Sequence, residues 1–213
     1  MRIYDKYRPE AWTEVIAQDK AVTELRGCVA RGIGGNAFWI SGQTGTGKTT
    51  IARILAREIS DKWSTEEIDA SDLTPARLRE YEHSMHLYAM GKGGRAYIIN
   101  EAHGLRRDTI RQLLVLLERL PDHTAVIFTT TNDGQEALFE DQIDAHPLLS
   151  RCITVSLARR DLARPFAERC QQIAQAEGLD GQPVEKYIKL LQRCKNNMRE
   201  ALQSIASGEM AQH

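Results

Sequence analysis

Long apolar runs are missing. No stretch of the 213 residues comes near the ~20 consecutive apolar residues of a bilayer-spanning helix, so no membrane partner is expected. The opening MRIYDKYRPEAW is polar and does not read as a secretory signal. Cysteine is scarce and scattered. Cys28, Cys152, Cys170 and Cys194 form no CxxC pair and no metal spacing, which argues against zinc and for a reduced, cytoplasmic protein. His83 and His86 sit at i, i+3 on a polar helix and make no metal site by themselves. An excess of one charge sign is absent too: 28 Lys and Arg balance 29 Asp and Glu. Bulk electrostatics therefore selects no partner, and any nucleic-acid contact must come from a local basic patch. Internal repeats and low-complexity segments are also lacking.

What is present is an ordinary globular composition, 42% apolar and 27% charged. The length suits one domain plus a small second one. Residues 1–36 read as an extended start followed by a helix over Asp19–Ala30, ending in the glycine-rich RGIGG. Short apolar runs at 37–41, 95–100, 124–131 and 152–157 predict buried strands, and TEEIDA a weaker one. Ile51, Ile54, Leu55 and Ile59 place a helix over 48–59. Ile110, Leu113, Leu114 and Leu117 keep i, i+3, i+4, i+7 spacing and place another over 107–120. Ser71 or Asp72 is the expected cap of a helix between the second and third strands. Strands alternating with helices imply an α/β fold, a parallel sheet flanked by helices. After residue 157 only helical segments follow, roughly 160–177, 183–194 and 197–207, with Pro165 tolerated in a first turn. The expected division is an α/β domain over 1–158 and a small all-helical domain over 159–213.

The stretch FWISGQTGTGKTTIARILA carries the chemistry. Gly42, Gln43, Thr44, Gly45, Thr46, Gly47, Lys48 and Thr49 fit G-x-x-x-x-G-K-[ST] in full, between a strand and a helix, with Thr50 next in the helix. Such glycines let backbone N–H groups turn inward on phosphate oxygens while the helix dipole points at them. Lys48 is expected on the β/γ-phosphates of ATP and the Thr49 hydroxyl on Mg²⁺. The strand YIINEAH should then end in the hydrolytic acids. Glu101 stands where a carboxylate polarises the attacking water. The metal-partner position is Asn100, where an Asp is usual. An amide brings no charge, so weaker Mg²⁺ binding is expected, with slow hydrolysis as one alternative.

Further along, YDKYRPEAWTEVIAQDKAV, EIDASD, LVLLERLPDHTAVIFTTTND, PLLSRC and NNMREAL follow one another. In that order and spacing the chain resembles the clamp-loader ATPases of the AAA+ class of P-loop NTPases, both replication factor C small subunits and the bacterial DNA polymerase III gamma/tau subunit. Ala17 replaces the usual Gly of the opening motif. The resemblance implies that Tyr7, Arg8, Pro9, Val15 and Ile16 wall the adenine pocket. It makes Thr131 or Asn132 the sensor of the γ-phosphate, Arg151 a finger reaching a neighbour's ATP, and Arg199 the helical lid's own γ-phosphate contact. The family usually has Gly-Asp before that last motif; Asn196 and Asn197 here tolerate left-handed or capping backbone. Cys152 belongs to the SRC signature and reads as a buried hydrophobe.

The implied partners are a sliding clamp, other clamp-loader subunits in an oligomer, and primer-template DNA. Arg106, Arg107 and Arg111 are the candidate phosphate contacts. The loop DGQEALFEDQIDAHP looks longer than in the family. The family's helical collar and four-cysteine zinc insert are not in the sequence, so either it is a fragment or its subunits assemble differently. Two further readings compete with clamp loading: a nucleotide-holding structural subunit, and a related AAA+ DNA-processing motor.

Overall fold

The computed structural model describes residues 1–131, 136, 138 and 145–211. Among the described residues there are five strands: β1 (Asn36–Ser41), β2 (Ser60–Asp69), β3 (Gly94–Asn100), β4 (Thr124–Thr130) and β5 (Cys152–Ser156). They form one parallel sheet in the order β2-β3-β4-β1-β5. Register brings their carboxyl ends level: Ser41 pairs with Thr130 and Ser156, and Asp69 with Asn100. The crevice outside those ends, where strand order reverses, is where open α/β sheets take ligands.

The central strands are buried on both faces, as their near-continuous apolar runs require. Alternation then sorts the side chains. Phe38, Ile40, Ala96, Ile98 and Ile127 pack under α2 (Asp19–Arg31) and α3 (Lys48–Ala56). Trp39, Tyr97, Ile99, Val126 and Phe128 face the other way, under α4 (Pro75–Met85) and α5 (Arg107–Leu117). Cys152, partly buried against this second cluster, donates to Leu148 O (3.3 Å), and burial pushes its thiol up to about 12. It packs as a hydrophobe.

A third core lies in α7 (Ala163–Ala176), α8 (Val184–Arg193) and α9 (Met198–Ala206), centred on Phe166, Cys170, Tyr187, Leu191 and Ile205. The N-terminal arm crosses between the cores. Ile3, Tyr4, Tyr7, Ile16 and Ala17 pack on the helical core, whereas Trp12 and Val15 pack on the sheet. Lys6 Nζ and Tyr7 Oη both donate to Glu177 Oε1, at 2.6 and 2.7 Å. Exposed pairs of this kind contribute little to stability.

Several elements differ from the sequence reading. The arm is not wholly extended: Ile3–Lys6 forms a single turn, α1. Ser71 and Asp72 lie in a 3₁₀ turn and cap nothing. Thr74 caps α4, its Oγ1 accepting from Arg77 N at 3.2 Å, with Pro75 at the first helical position. Helix α3 stops at Ala56, because Glu58 N and Ile59 N reach back three residues rather than four and Ser60 Oγ bonds Ala56 O (2.8 Å). Helix α5 stops at Leu117, three residues early, where Arg119 N likewise turns back to Leu116 O. A short helix, α6 (Ala145–Ser150), precedes β5 in the segment read as loop, most of which lies outside the described residues.

Ala17 sits at φ 55° where the arm turns back toward α2. That explains why glycine is usual here, since the left-handed region costs an L-residue ~1–2 kcal/mol. Glycine gives back ~0.4–1 kcal/mol through unfolded-chain entropy. Ala17→Gly should therefore stabilise the chain by ~0.5–1 kcal/mol, seen as a higher urea midpoint at unchanged slope; a lower midpoint would show that the methyl group's packing outweighs the strain.

Candidate functional site

Between β1 and α3 the chain makes a glycine turn whose shape is fixed from several sides. Gly42 N donates to Thr130 O (3.2 Å), Leu157 N to Ser41 O (2.8 Å), and Thr46 Oγ1 to Gln43 O (2.7 Å). Gly45 has φ 79°, and a Cβ there would lie 2.0 Å from Asn197 Oδ1. No other residue fits that spot, where the loop runs directly under the start of α9. Gly47 (φ 105°) opens α3 in left-handed backbone.

Lys48 is only 7% exposed, and its Nζ donates to Gly42 O and Gln43 O, both at 3.1 Å. Among the described residues no carboxylate forms an ion pair with it. Burial pushes its ammonium below the ordinary lysine value; the Glu101 carboxylate opposes the shift and the Arg199 guanidinium adds to it. A buried cation with only carbonyl partners fits an incoming polyphosphate.

The loop forms the floor of a cleft of ≈ 1020 Å³ counting its open mouth. Thr44 to Thr50, Glu101 and Arg199 line it, and so do Tyr7, Arg8, Pro9, Val15 and Ile16. Tyr4, Glu14, Phe166, Arg169, Met198 and Leu202 also line it and were not singled out from sequence. Their signal was faint: Tyr4 and Glu14 flank the arm motif, and the other four lie on α7 and α9, whose packing over the loop no local spacing encodes.

Arg199 stands over the Tyr4 ring, 5.7 Å from its centre. Asn197 caps α9, its Oδ1 accepting from Glu200 N (3.3 Å), while Lys195 and Asn196 are left-handed at φ 51° and 60°. Glu101 is itself left-handed (φ 51°), with its carboxylate 3.5 Å from His103 Nδ1. Such backbone costs ~1–3 kcal/mol and recurs at functional positions.

Asn100, 9% exposed, does not line the cleft directly. Its Oδ1 accepts from Thr49 Oγ1 (3.2 Å) and Thr129 Oγ1 (2.9 Å), and its Nδ2 donates to Glu67 Oε1 (2.8 Å). Glu67 is held by Arg53 Nε and Nη2, at 2.7 and 3.0 Å. Nothing in the local spacing pointed to Glu67, which meets Asn100 because β2 lies beside β3, or to Arg53 of α3, which reaches Glu67. Among the described residues no cluster of three His, Cys, Asp or Glu could hold a metal. The oxygens of Thr49 and Glu101 in the cleft lining would fit Mg²⁺ arriving with phosphates, which is how that ion is commonly bound, whereas Asn100 Oδ1, expected beside the metal, is taken up by the Thr49 and Thr129 hydroxyls.

The remaining expected residues lie elsewhere. Thr131, half-buried, follows β4 and is not in the cleft lining, and Asn132 lies outside the described residues. Arg151 precedes β5; its Nε donates to Glu118 Oε1 (3.1 Å) and its Nη1 to Pro147 O (2.9 Å). Arg106, Arg107 and Arg111 are exposed around the start of α5.

Comparison with known proteins gives a consistent result. Residues 38–155 match the ATPase family associated with various cellular activities (AAA). The chain is 27% identical to DNA polymerase III subunit tau of Escherichia coli, over 96% of this chain and 34% of the relative. It is 29% identical to replication factor C small subunit 1 of Pyrobaculum arsenaticum, over 83% of this chain and 53% of the relative. The chain thus spans about a third to a half of these relatives' length. A solved structure of Thermotoga maritima RuvB superposes with a TM-score of 0.73 at 19% identity, over 94% of this chain and 65% of that one, a likeness of fold.

The Lys48 ammonium costs stability wherever no phosphate meets it. Lys48→Met keeps the stem and removes the charge. It should abolish ATP binding by calorimetry while raising the nucleotide-free chain's stability by ~1 kcal/mol. Unchanged ATP affinity would remove the lysine from the site.

Proposed function

The chain belongs to the ATPase family associated with various cellular activities, its match covering more than half its length, and on that footing we propose that it is a Mg²⁺-dependent ATPase subunit of a DNA-replication clamp loader. ATP binding and hydrolysis would be coupled to placing a sliding clamp on primed DNA. The observation that carries this reading is the convergence of Lys48, Glu101 and Arg199, from the loop, the sheet edge and the helical unit, on one cleft closed by the N-terminal arm.

In this reading the loop amides and Lys48 bind the β/γ-phosphates, and Tyr7 to Pro9 with Val15 and Ile16 hold the base. Glu101 orients the attacking water and draws its proton toward its carboxylate. Arg199 brings the helical unit, residues 159–213, down onto the γ-phosphate of the 1–158 unit. The Thr49 hydroxyl would hold Mg²⁺, which would supply neutralisation of phosphate charge. Thr131 or Asn132 reports the γ-phosphate to the sheet. Arg151 would complete a neighbouring subunit's site, which would make the assembly an oligomer; it is paired with Glu118 and would exchange that carboxylate for the anion in trans.

Arg106, Arg107 and Arg111 would meet DNA phosphates. Each removed should lower the slope of log affinity against log salt by ~1, equally for any sequence. The setting would be cytoplasmic, at the replication fork. Among the described residues no helix is long and apolar enough to cross a membrane. One observation favours the second reading, a nucleotide-holding subunit with little turnover: the neutral Asn100 at the expected metal-partner position.

Steady-state ATP hydrolysis, measured on the chain alone and with primed DNA and clamp, separates the two. Glu101→Gln should reduce turnover by a factor of about 10²–10⁴ and leave ATP binding intact. Arg151→Ala chains mixed with Glu101→Gln chains should regain part of the activity. A wild type as slow as Glu101→Gln under every condition would leave only the nucleotide-holding role.

A further inference from the structure

Resting on the ATP reading above, we propose that Glu67 is a positioning residue of the Mg²⁺ site: anchored by Arg53, it orients the Asn100 amide and so aims the Thr49 hydroxyl at the metal. The argument is one of hydrogen-bond polarity and leaves no free choice along the chain. A guanidinium only donates, so Arg53 fixes the Glu67 carboxylate through two bonds, at 2.7 and 3.0 Å. That carboxylate only accepts. The Asn100 atom 2.8 Å away must therefore be the amide nitrogen.

Oδ1 is then forced to face Thr49 and Thr129, at 3.2 and 2.9 Å. Having no proton of its own, it obliges both hydroxyls to donate. With its O–H spent on Asn100, the Thr49 oxygen keeps its lone pairs for a cation beside the phosphates. Burial makes the arrangement stiff: Asn100 is 9% exposed and Thr129 1%.

The network also gives a reason for Asn100. A carboxylate in its place could not donate to Glu67. It would set two carboxylate oxygens against each other at hydrogen-bond distance and would turn away from Thr49 or push Glu67 off Arg53. The negative charge expected on the metal-partner strand stands instead one strand over, on Glu67, and acts through the neutral amide. The simple expectation that Asn100→Asp alone strengthens Mg²⁺ binding is thereby reversed; the gain requires a donor at position 67.

The test is calorimetry of the full chain with the β,γ-imido analogue of ATP, in EDTA and in Mg²⁺, for wild type and variants. The readout is magnesium coupling, the ratio of the two affinities. Glu67→Ala should lower that ratio about tenfold, the worth of one hydrogen bond to a charged group, and leave the EDTA affinity unchanged. Glu67→Gln keeps an acceptor oxygen and should retain most of the coupling. Asn100→Asp alone should gain nothing. Combined with Glu67→Gln, which supplies the donor, it should exceed the single variant about tenfold.

Thermal melting checks that each variant folds. The Asn100→Asp/Glu67→Gln pair restores the polarity and decides the matter if Glu67→Ala unfolds. Equal coupling in Asn100→Asp and the double variant would overturn the proposal. So would a Glu67→Ala loss that is the same in EDTA as in Mg²⁺, which would mean a general packing role. If wild type binds the analogue no better than Lys48→Met, the ATP reading itself falls and this inference with it.

Discussion

The arrangement of the site depends on one costly act: holding the Lys48 ammonium out of water with nothing but two backbone carbonyls to receive it. A buried charge is tolerable only where its partners are fixed. The loop carbonyls of Gly42 and Gln43 stay in place because the loop is tied to the ends of β4 and β5 and roofed by Asn197 of the helical unit. Level strand ends, a glycine under α9 and a helix beginning at the lysine are thus parts of one solution. The same rigidity means that backbone N–H groups need little rearrangement when a phosphate arrives, which is the structural content of preorganisation.

Charge around the loop is distributed so that few carboxylates crowd the anion's place. Glu67 is spent on Arg53 and Asn100, and Glu118 on Arg151. Glu101 alone among the carboxylates of the strand ends enters the cleft, held in strained left-handed backbone at the end of β3. Its charge steadies the Lys48 ammonium that Arg199 disfavours. Positive groups from two different units therefore line the cleft together with two carboxylates, Glu101 near Lys48 and Glu14 on the arm. An anion with several charges suits that balance, and a neutral ligand would not.

Much of this was legible in the sequence, and the reasons are local. The glycine–lysine–threonine run, the buried strands and the helices after residue 157 each declare themselves through spacing within a dozen residues. Asn196 and Asn197 read as able to take left-handed or capping backbone, and the first is left-handed while the second is the cap, because such chemistry is local too. Thr74 was passed over in favour of Ser71 and Asp72, although Thr-Pro is the stronger signal, because several candidates competed within four residues. Glu67 and Arg53 were invisible for another reason. The role of Glu67 depends on β2 lying beside β3, and that of Arg53 on reaching Glu67 from α3; neighbouring strands in a parallel sheet are far apart in sequence. The arm's turn at Ile3–Lys6 is held by α9 and the helical core, which no window of arm residues contains.

The arm has one more consequence. It is a stitch through the seam between the two cores: Tyr7 is sewn to the helices, Trp12 and Val15 to the sheet, Ile16 and Ala17 to the helices again, and Ala21 back to the sheet. The buried Gln18 ties the knot, its Oε1 accepting from Ala158 N (2.7 Å) where the chain later recrosses the same seam. A seam sewn this way cannot gape without drawing thread. The helical unit can lift off the loop only as far as the arm slackens, and the arm is also the wall of the cleft. Whatever lies beneath it is therefore bounded by apolar contacts at the rim as well as by the phosphate loop.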